Sequence, residues 1–395
     1  MSNINTLLEI FRKYAPLMNA QEYPCGNAIL VLNDGGDLYS TKAGANFDDL
    51  TEADIDKNIL NFIPDGGVNK AMVLFNTPSA KVLLERRKNF KPALDDMAQI
   101  IGPCCKYFKQ VPNKLGQNAG CFVENVAGQS YCLTVGRTLY EAIVAMTVLE
   151  KSASVSLLAE KLGGEKPLGG LETRLMRFVY RKKYSKAEVS AKSGEQKNGP
   201  ETVKDAISES ISKGIIPPSY SEKELALRES LVEYGKKLVE TGLVQGTWGN
   251  LSARLNEEFM LVTPSGLDYT RLTPDDMVKV EIKTLNYEGS LKPTSEKGLH
   301  AEVYSRRPKV GAIIHTHAKF ASVFAAAEKD LSSEVKLAGY GLAGTKALKN
   351  HTADALGKNY GTIMSHHGML VVGDDLEEAF ANCQKLEAEC ESALK

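Results

Sequence analysis

The sequence predicts an α/β protein made of two tandem domains, each a mixed, mostly antiparallel sheet flanked by helices. Three observations carry this. A polar Lys/Glu/Ser/Gly-rich stretch, residues 185–220, ends at Pro217-Pro218 and divides 395 residues into segments of similar size. Short blocks of the first segment recur in the second. The second segment alternates strand-like and helix-like apolar patterns, as layered α/β architectures require.

Taken in order, MSNINTLLEIFRKYAPLMN has the apolar spacing of an amphipathic helix that carries charges. The repeat begins at Cys25, where CGNAILVLNDGGDLYSTKAGANFDDLTEADI lies beside WGNLSARLNEEFMLVTPSGLDYTRLTPDDM from Trp248. Gly26-Asn27 falls on Gly249-Asn250, and Leu50-Thr51 falls on Leu272-Thr273 after a one-residue slip. The apolar run Ala71 to Leu74 matches Ala312 to His315, and VGRTLYEAI from Val135 matches VGDDLEEAF from Val372. The halves therefore read as domain 1–184, linker 185–220 and domain 221–395, with the first a duplicate of the second.

In the second domain, SEKELALRESLVEYGKKLVETGL is an amphipathic helix with Ser221 and Glu224 set as a capping box. Strands are expected at Asn250–Leu255, Phe259–Thr263, Met277–Ile282 and Val310–His315. Helices are expected around Lys319–Ala327 and Leu342–Leu356, then a strand near Gly361–Val372 and a closing helix from Leu376.

Composition limits the function. A net charge of −1 gives no global attraction to nucleic acid or an anionic membrane, so an anion site must be built locally. No run approaches the roughly 18 apolar residues that span a bilayer, and the expectation is a cytoplasmic protein with a small-molecule partner, no nucleic acid and no membrane. Seven scattered cysteines without a CxxC pair argue against a disulfide framework or a thiolate metal site. All six histidines lie between His300 and His367, so imidazole chemistry belongs to the second domain.

The strongest local signal is GAIIHTH. Alternate strand residues share a face, so His315 and His317 point the same way, as two ligands of one metal must. SHHGMLVV, a His-His-Gly turn leading into an apolar strand, supplies a third imidazole, His367, with His366 turned away and Gly368 permitting close backbone approach. Three histidines with one open coordination position suit a catalytic rather than a structural zinc. Glu296, in KPTSEKGLH before a helix, is placed to reach the metal or a substrate, although a helix-start carboxylate is also favoured by the dipole alone. Gly249-Asn250, Thr263-Pro264-Ser265-Gly266 and Thr294-Ser295 offer backbone N–H groups beside hydroxyls or an amide, the parts of a phosphate nest. In the first domain Leu74, Phe75 and Asn76 stand where His315, Thr316 and His317 do, and Ser130 stands at His367, so that domain cannot hold the same metal.

GTWGNLSAR, VTPSGLDYTRLTPDDM, KPTSEKGLHAEVYSRRPKVGAIIHTH and SHHGMLVVGDDLEEA, in this order, resemble the class II aldolase/adducin family across 221–395. The resemblance implies a class II aldolase-like three-layer α/β/α fold in two tandem copies, with Zn2+, or another divalent metal, on His315, His317 and His367. It implies Glu296 as acid/base and metal-facing carboxylate, and a substrate phosphate on Gly249, Asn250, Ser265, Gly266, Thr294 and Ser295. Tyr340 is the nearest candidate for the tyrosine acid of the aldolases, because the stretch between Ala327 and Leu342 is shorter than usual.

The implied reaction is retro-aldol cleavage of a ketose 1-phosphate to dihydroxyacetone phosphate and an aldehyde. In it zinc polarises the ketose carbonyl and stabilises the enediolate while Glu296 shuttles the proton. Glu rather than Asp at 296 favours an aldolase over a pentulose-phosphate 4-epimerase; a sugar-acid-phosphate decarboxylase and a non-catalytic adducin-like module are the alternatives. The family also implies a homo-oligomer, here a dimer whose four domains form a pseudo-tetramer.

Overall fold

A computed structural model describes residues 4–14, 18, 28–57, 62–192, 220–244 and 248–395. The chain divides into two compact units, Met1–Tyr180 with Ser322–Lys329 and Leu394, and the remainder. The first contains α1 (Ile4–Tyr14), β1 (Ile29–Asp34), β2 (Asp37–Thr41), β3 (Ile55–Lys57), β4 (Ala71–Phe75) and α2 (Pro78–Glu85). These are followed by α3 (Asp95–Ile100), β5 (Lys106–Gln110), β6 (Gly120–Val126), β7 (Gln129–Gly136), α4 (Leu139–Ala159) and α5 (Gly170–Lys192). Its sheet runs β3-β2-β1-β4-β7-β6-β5, antiparallel throughout except for the parallel β5–β6 edge pair.

Next in the chain come α6 (Glu222–Glu240), β8 (Gly249–Arg254), β9 (Phe259–Val262), β10 (Val278–Glu281), α7 (Lys297–Arg306) and β11 (Ala312–Thr316). Then follow α8 (Lys319–Ala327), β12 (Leu337–Ala338), α9 (Lys346–Leu356), β13 (Gly361–Met364), β14 (Gly368–Gly373) and α10 (Leu376–Ala393). The second sheet runs β10-β9-β8-β11-β14-β13-β12, and among the described residues its one parallel pair is again at the edge, β12–β13. The two strand orders are the same.

The central strands β4 (AMVLF) and β11 (AIIHT) are buried at every position, which explains why both read as unbroken rather than alternating runs. Each anchors a separate core, Met72 and Leu74 with Cys121, Val123 and Leu133 in one, Ile313 with Met260, Val280, Tyr304 and Leu370 in the other. Helix α4 is apolar on all sides. By length and composition it passes as a membrane span, yet 83% of that window is buried inside the protein, and it carries Glu150 and Lys151. Lys151 Nζ lies 2.7 Å from Asp96 Oδ2 with both side chains at most 2% exposed, so the ion pair is fully withdrawn from water.

Local devices recur in the two sheets. Thr51 and Asp54 form a reciprocal capping box on a short 3-10 turn, and Thr273 and Asp276 form another. Glu150 accepts from the N–H groups of Ser79 and Ala80 at the start of α2 (2.9 and 2.7 Å) and Glu387 from those of Phe320 and Ala321 at the start of α8 (2.7 and 2.9 Å). In each case a carboxylate from a long helix satisfies the orphan donors of the helix that follows the central strand.

Several expectations need correction. The single strand expected over Gly361–Val372 is two, β13 and β14, because residues 365–367 form a tight turn. The helix expected from Leu342 starts at Lys346, capped by the Thr345 hydroxyl. Ser221 does accept from the Glu224 N–H, but the Glu224 carboxylate goes to Arg228 and Lys279 instead of closing a capping box. Helix α5 continues to Lys192, eight residues into the stretch read as linker, while 193–219 lie outside the described residues. Cys25, Gly26, Asn27 and Thr247 also lie outside them. The register puts Ile29 opposite Leu74 and Asn250 opposite His315, so matching the central strands aligns Asn250 with Ile29, two residues beyond Asn27.

Candidate active site

Strand β11 delivers His315 from its last rungs and His317 from just beyond its end. His315 Nδ1 lies 2.8 Å from the Met369 carbonyl on β14 and therefore carries its proton there, leaving Nε2 bare and facing the site. The third imidazole comes from the β13–β14 hairpin. His366 has φ +59°, a left-handed conformation rare outside glycine and asparagine, and this turns two consecutive side chains in different directions. The His366 ring packs edge-on against Tyr340, centroids 5.3 Å apart, while the His367 ring stacks on His315 at 4.9 Å. Gly368 is required next to it, because a Cβ there would lie 2.3 Å from the Thr316 carbonyl.

The three imidazoles each offer a nitrogen within 4.8 Å of the others. Glu296 joins them from the N-terminal end of α7. Its carboxylate does not cap its own helix; Oε1 lies 2.8 Å from His367 Nε2 and Oε2 lies 3.4 Å from His315 Nε2. Burial opposes ionisation of Glu296, but the neighbouring His315 and His367 and the hydrogen bonds from His367 and Asn250 hold its carboxyl well below the usual range.

The donor set fits a divalent cation. Nitrogen ligands at ordinary zinc distances in tetrahedral geometry stand about 3.3 Å apart. The His315–His317 Nε2 separation of 3.1 Å and the His315–Glu296 separation of 3.4 Å bracket that spacing. Two Nε2 atoms 3.1 Å apart also need a cation or a shared proton between them. His315 and His367 are buried and His317 half-buried.

The residues expected to bind phosphate fall into two groups. The segments around Thr263–Gly266 and Lys292–Ser295 are zipped together: Ser265 N–H donates to the Lys292 carbonyl, and Thr294 N–H donates to that of Thr263. Ser295 and Gly266 remain exposed there and Thr294 is buried. Gly249 has φ +137°, and a Cβ on it would lie 2.7 Å from the His315 carbonyl. Asn250 is engaged elsewhere, since its Nδ2 donates to Glu296 Oε2 at 2.9 Å. Tyr340, besides its contact with His366, accepts at its carbonyl from His351.

Behind Asn250 lie residues that no sequence motif singles out. His300, one helical turn after Glu296 on α7, lies with Nε2 2.5 Å from Asn250 Oδ1 and Nδ1 2.6 Å from Ser252 Oγ. Ser252 in turn meets the Tyr304 hydroxyl at 2.8 Å. Spacing alone gave a signal, for Glu296, His300 and Tyr304 recur every four residues and so share one helix face. In the first unit Asn76 Nδ2 donates to the Ser130 carbonyl at 2.8 Å. These two residues border a cavity of about 390 Å³, lined also by Lys81, Arg87, Tyr107 and Glu124 and by no imidazole.

Residues 229–394 match the family described as Class II Aldolase and Adducin N-terminal domain. The chain is 33% identical over 166 residues to a 5-methylthioribulose-1-phosphate/5-deoxyribulose-1-phosphate aldolase of Rhodospirillum rubrum, covering 39% of this chain and 74% of that protein. It is 30% identical over 164 residues to the L-fuculose phosphate aldolase of Escherichia coli K12, covering 39% and 75% respectively. A solved structure of an L-fuculose 1-phosphate aldolase matches at 32% identity over 44% of this chain and 85% of its own, with a TM-score of 0.41.

Proposed function

The chain belongs to the class II aldolase and adducin family and is a class II aldolase, a carbon–carbon lyase; from that premise we propose that it cleaves a ketose 1-phosphate between C3 and C4, releasing dihydroxyacetone phosphate and an aldehyde. The observation that carries this is the convergence of Glu296 with His315, His317 and His367 in one buried cluster. His315, His317 and His367 would hold a divalent cation, zinc by the choice of ligands, which would supply Lewis-acid polarisation of the substrate carbonyl. Glu296 takes the proton released from the C4 hydroxyl and returns it to C3, so that the ketose phosphate is converted without gain or loss of atoms. Asn250 holds the carboxylate for that transfer, and Gly249, Ser265, Gly266, Thr294 and Ser295 face the substrate phosphate. Tyr340 is the candidate acid on the aldehyde side. The sugars in the names of both curated relatives end in a deoxygenated or thioether carbon, which favours a substrate whose aldehyde half is apolar at its tip.

The first unit reads as a duplicate of the second that lacks the metal ligands, both three-layer α/β/α. The common strand order, the paired capping boxes and the two helix-capping glutamates support this. In a dimer the four units would form a pseudo-tetramer. Free thiols at all six described cysteines suit the cytoplasm.

The test is elemental analysis of the purified chain coupled to an assay for dihydroxyacetone phosphate released from 5-deoxyribulose 1-phosphate and from fuculose 1-phosphate, with His315→Ala as control. About one zinc per chain and metal-dependent release is the expected result. Bound metal without release turns the assignment to the 4-epimerase or decarboxylase, and absence of metal turns it to an adducin-like module.

A further inference from the structure

We infer that His300 is a positioning residue: it fixes the orientation of the Asn250 amide, and through it the Glu296 carboxylate, as the middle link of a one-way hydrogen-bond chain. The chain runs Tyr304, Ser252, His300, Asn250, Glu296, every member is at most 6% exposed, and the successive separations are 2.8, 2.6, 2.5 and 2.9 Å.

Its direction follows from counting protons. A carboxylate accepts only, so Asn250 must present its NH2 to Glu296 and its carbonyl oxygen to His300. The atom facing that oxygen must then be a donor, which places the His300 proton on Nε2 and leaves Nδ1 bare. Nδ1 can be satisfied only by the Ser252 hydroxyl proton, and Ser252, its one proton spent, accepts from Tyr304. Each link of the chain then joins one donor to one acceptor. The opposite tautomer would donate from Nδ1 to Ser252 and oblige Asn250 to flip, setting its oxygen against the carboxylate. Because the two ends of an amide are nearly the same shape, packing cannot prevent that flip, whereas the imidazole tautomer can.

Electrostatics agree. Burial depresses the His300 pKa to about 3, so the ring is neutral wherever the protein is folded near neutrality and has one donor and one acceptor. The same burial raises the Tyr304 phenol, which stays protonated and fit to head the chain.

The effect on catalysis rests on the aldolase reading; the tautomer does not, and the experiment separates them. The full-length, metal-loaded protein is labelled with 15N-histidine, and long-range 1H–15N correlation spectra are recorded between pH 5 and 8, with His300→Gln to assign the signal. The expected result is a neutral ring protonated at Nε2 throughout, and an Nδ1–H tautomer or titration within that range overturns the proposal. In parallel, His300→Phe is combined with Asn250→Ala in a double-mutant cycle. Acting through Asn250, His300→Phe lowers kcat about 10- to 100-fold with little change in KM or metal content. It adds less than about twofold on the Asn250→Ala background, and His300→Gln, which keeps an N–H for Asn250, recovers part of the loss. Independent, additive losses would overturn the positioning role. If His300→Phe does not fold, the spectra and His300→Gln decide. Should the protein release no dihydroxyacetone phosphate while the Nε2–H tautomer is found, the aldolase reading fails and the chain stands.

Discussion

The two units are built on one strand order and differ at the end of the central strand. Where His315 and His317 stand at and just beyond the end of β11, Leu74 and Asn76 stand at and just beyond the end of β4, and where one hairpin places His367, the other has Ser130. The capping boxes and the helix-capping glutamates are present in both. Features that hold the sheet and its helices together are thus shared, and the cluster of imidazoles is not. In this fold the scaffold does not depend on its site: a sheet of this kind closes its core with leucine where the other has histidine.

That contrast is open to attack at three strengths. The largest effect is expected from the pair His317→Ala and Asn76→Ala, side chains at the same position in the two sheets. The first should remove metal and lower kcat about a thousandfold or more, the loss of several kcal/mol of transition-state stabilisation. The second should leave metal content and rate at wild-type values. Metal analysis and the dihydroxyacetone phosphate assay read both, and a rate loss in Asn76→Ala would show that the first unit takes part in the chemistry.

Next comes Lys151→Met, which strands the Asp96 carboxylate without its partner in the first core. A destabilisation of about 3–5 kcal/mol is expected in denaturant unfolding, confined to the transition of the first unit. A single cooperative transition that shifts as a whole would mean that the units do not unfold separately.

The smallest effect is the most direct test of equivalence. Thr51→Ala and Thr273→Ala each remove one capping box and should each cost about 1 kcal/mol. Comparable losses by thermal melting support one architecture used twice; a loss at Thr273 alone would make the first box ornamental.

Much of this was legible in the sequence, for identifiable reasons. β4 and β11 announced themselves as apolar runs, and α10 as a stripe of Leu376, Ala379, Cys383, Leu386 and Cys390. His315 and His317 were legible because strand periodicity fixes their common face. The His-His-Gly turn was legible, but the separate strand that ends before it was not, since apolar residues flank the turn on both sides and it depends on a histidine in a backbone conformation that sequence patterns assign to glycine. The last turns of α5 fall in the stretch that reads as linker because KAEVSAK is charged enough to resemble one while consisting largely of good helix formers. His300 was overlooked because its role arises only when Asn250 and Ser252, some 50 residues earlier, are folded against it.

The hairpin that carries His366 and His367 holds a redundancy. Two identical side chains are adjacent, and only one faces the carboxylate. A slip of one residue would exchange them, because neighbouring positions in a paired strand look to opposite sides. Chemistry cannot tell the two apart, so the choice is made by backbone address: the left-handed turn at His366, with Gly368 pressed against the Thr316 carbonyl, admits one registry. Which of the two imidazoles meets Glu296 is therefore decided sterically, by the glycine that follows them.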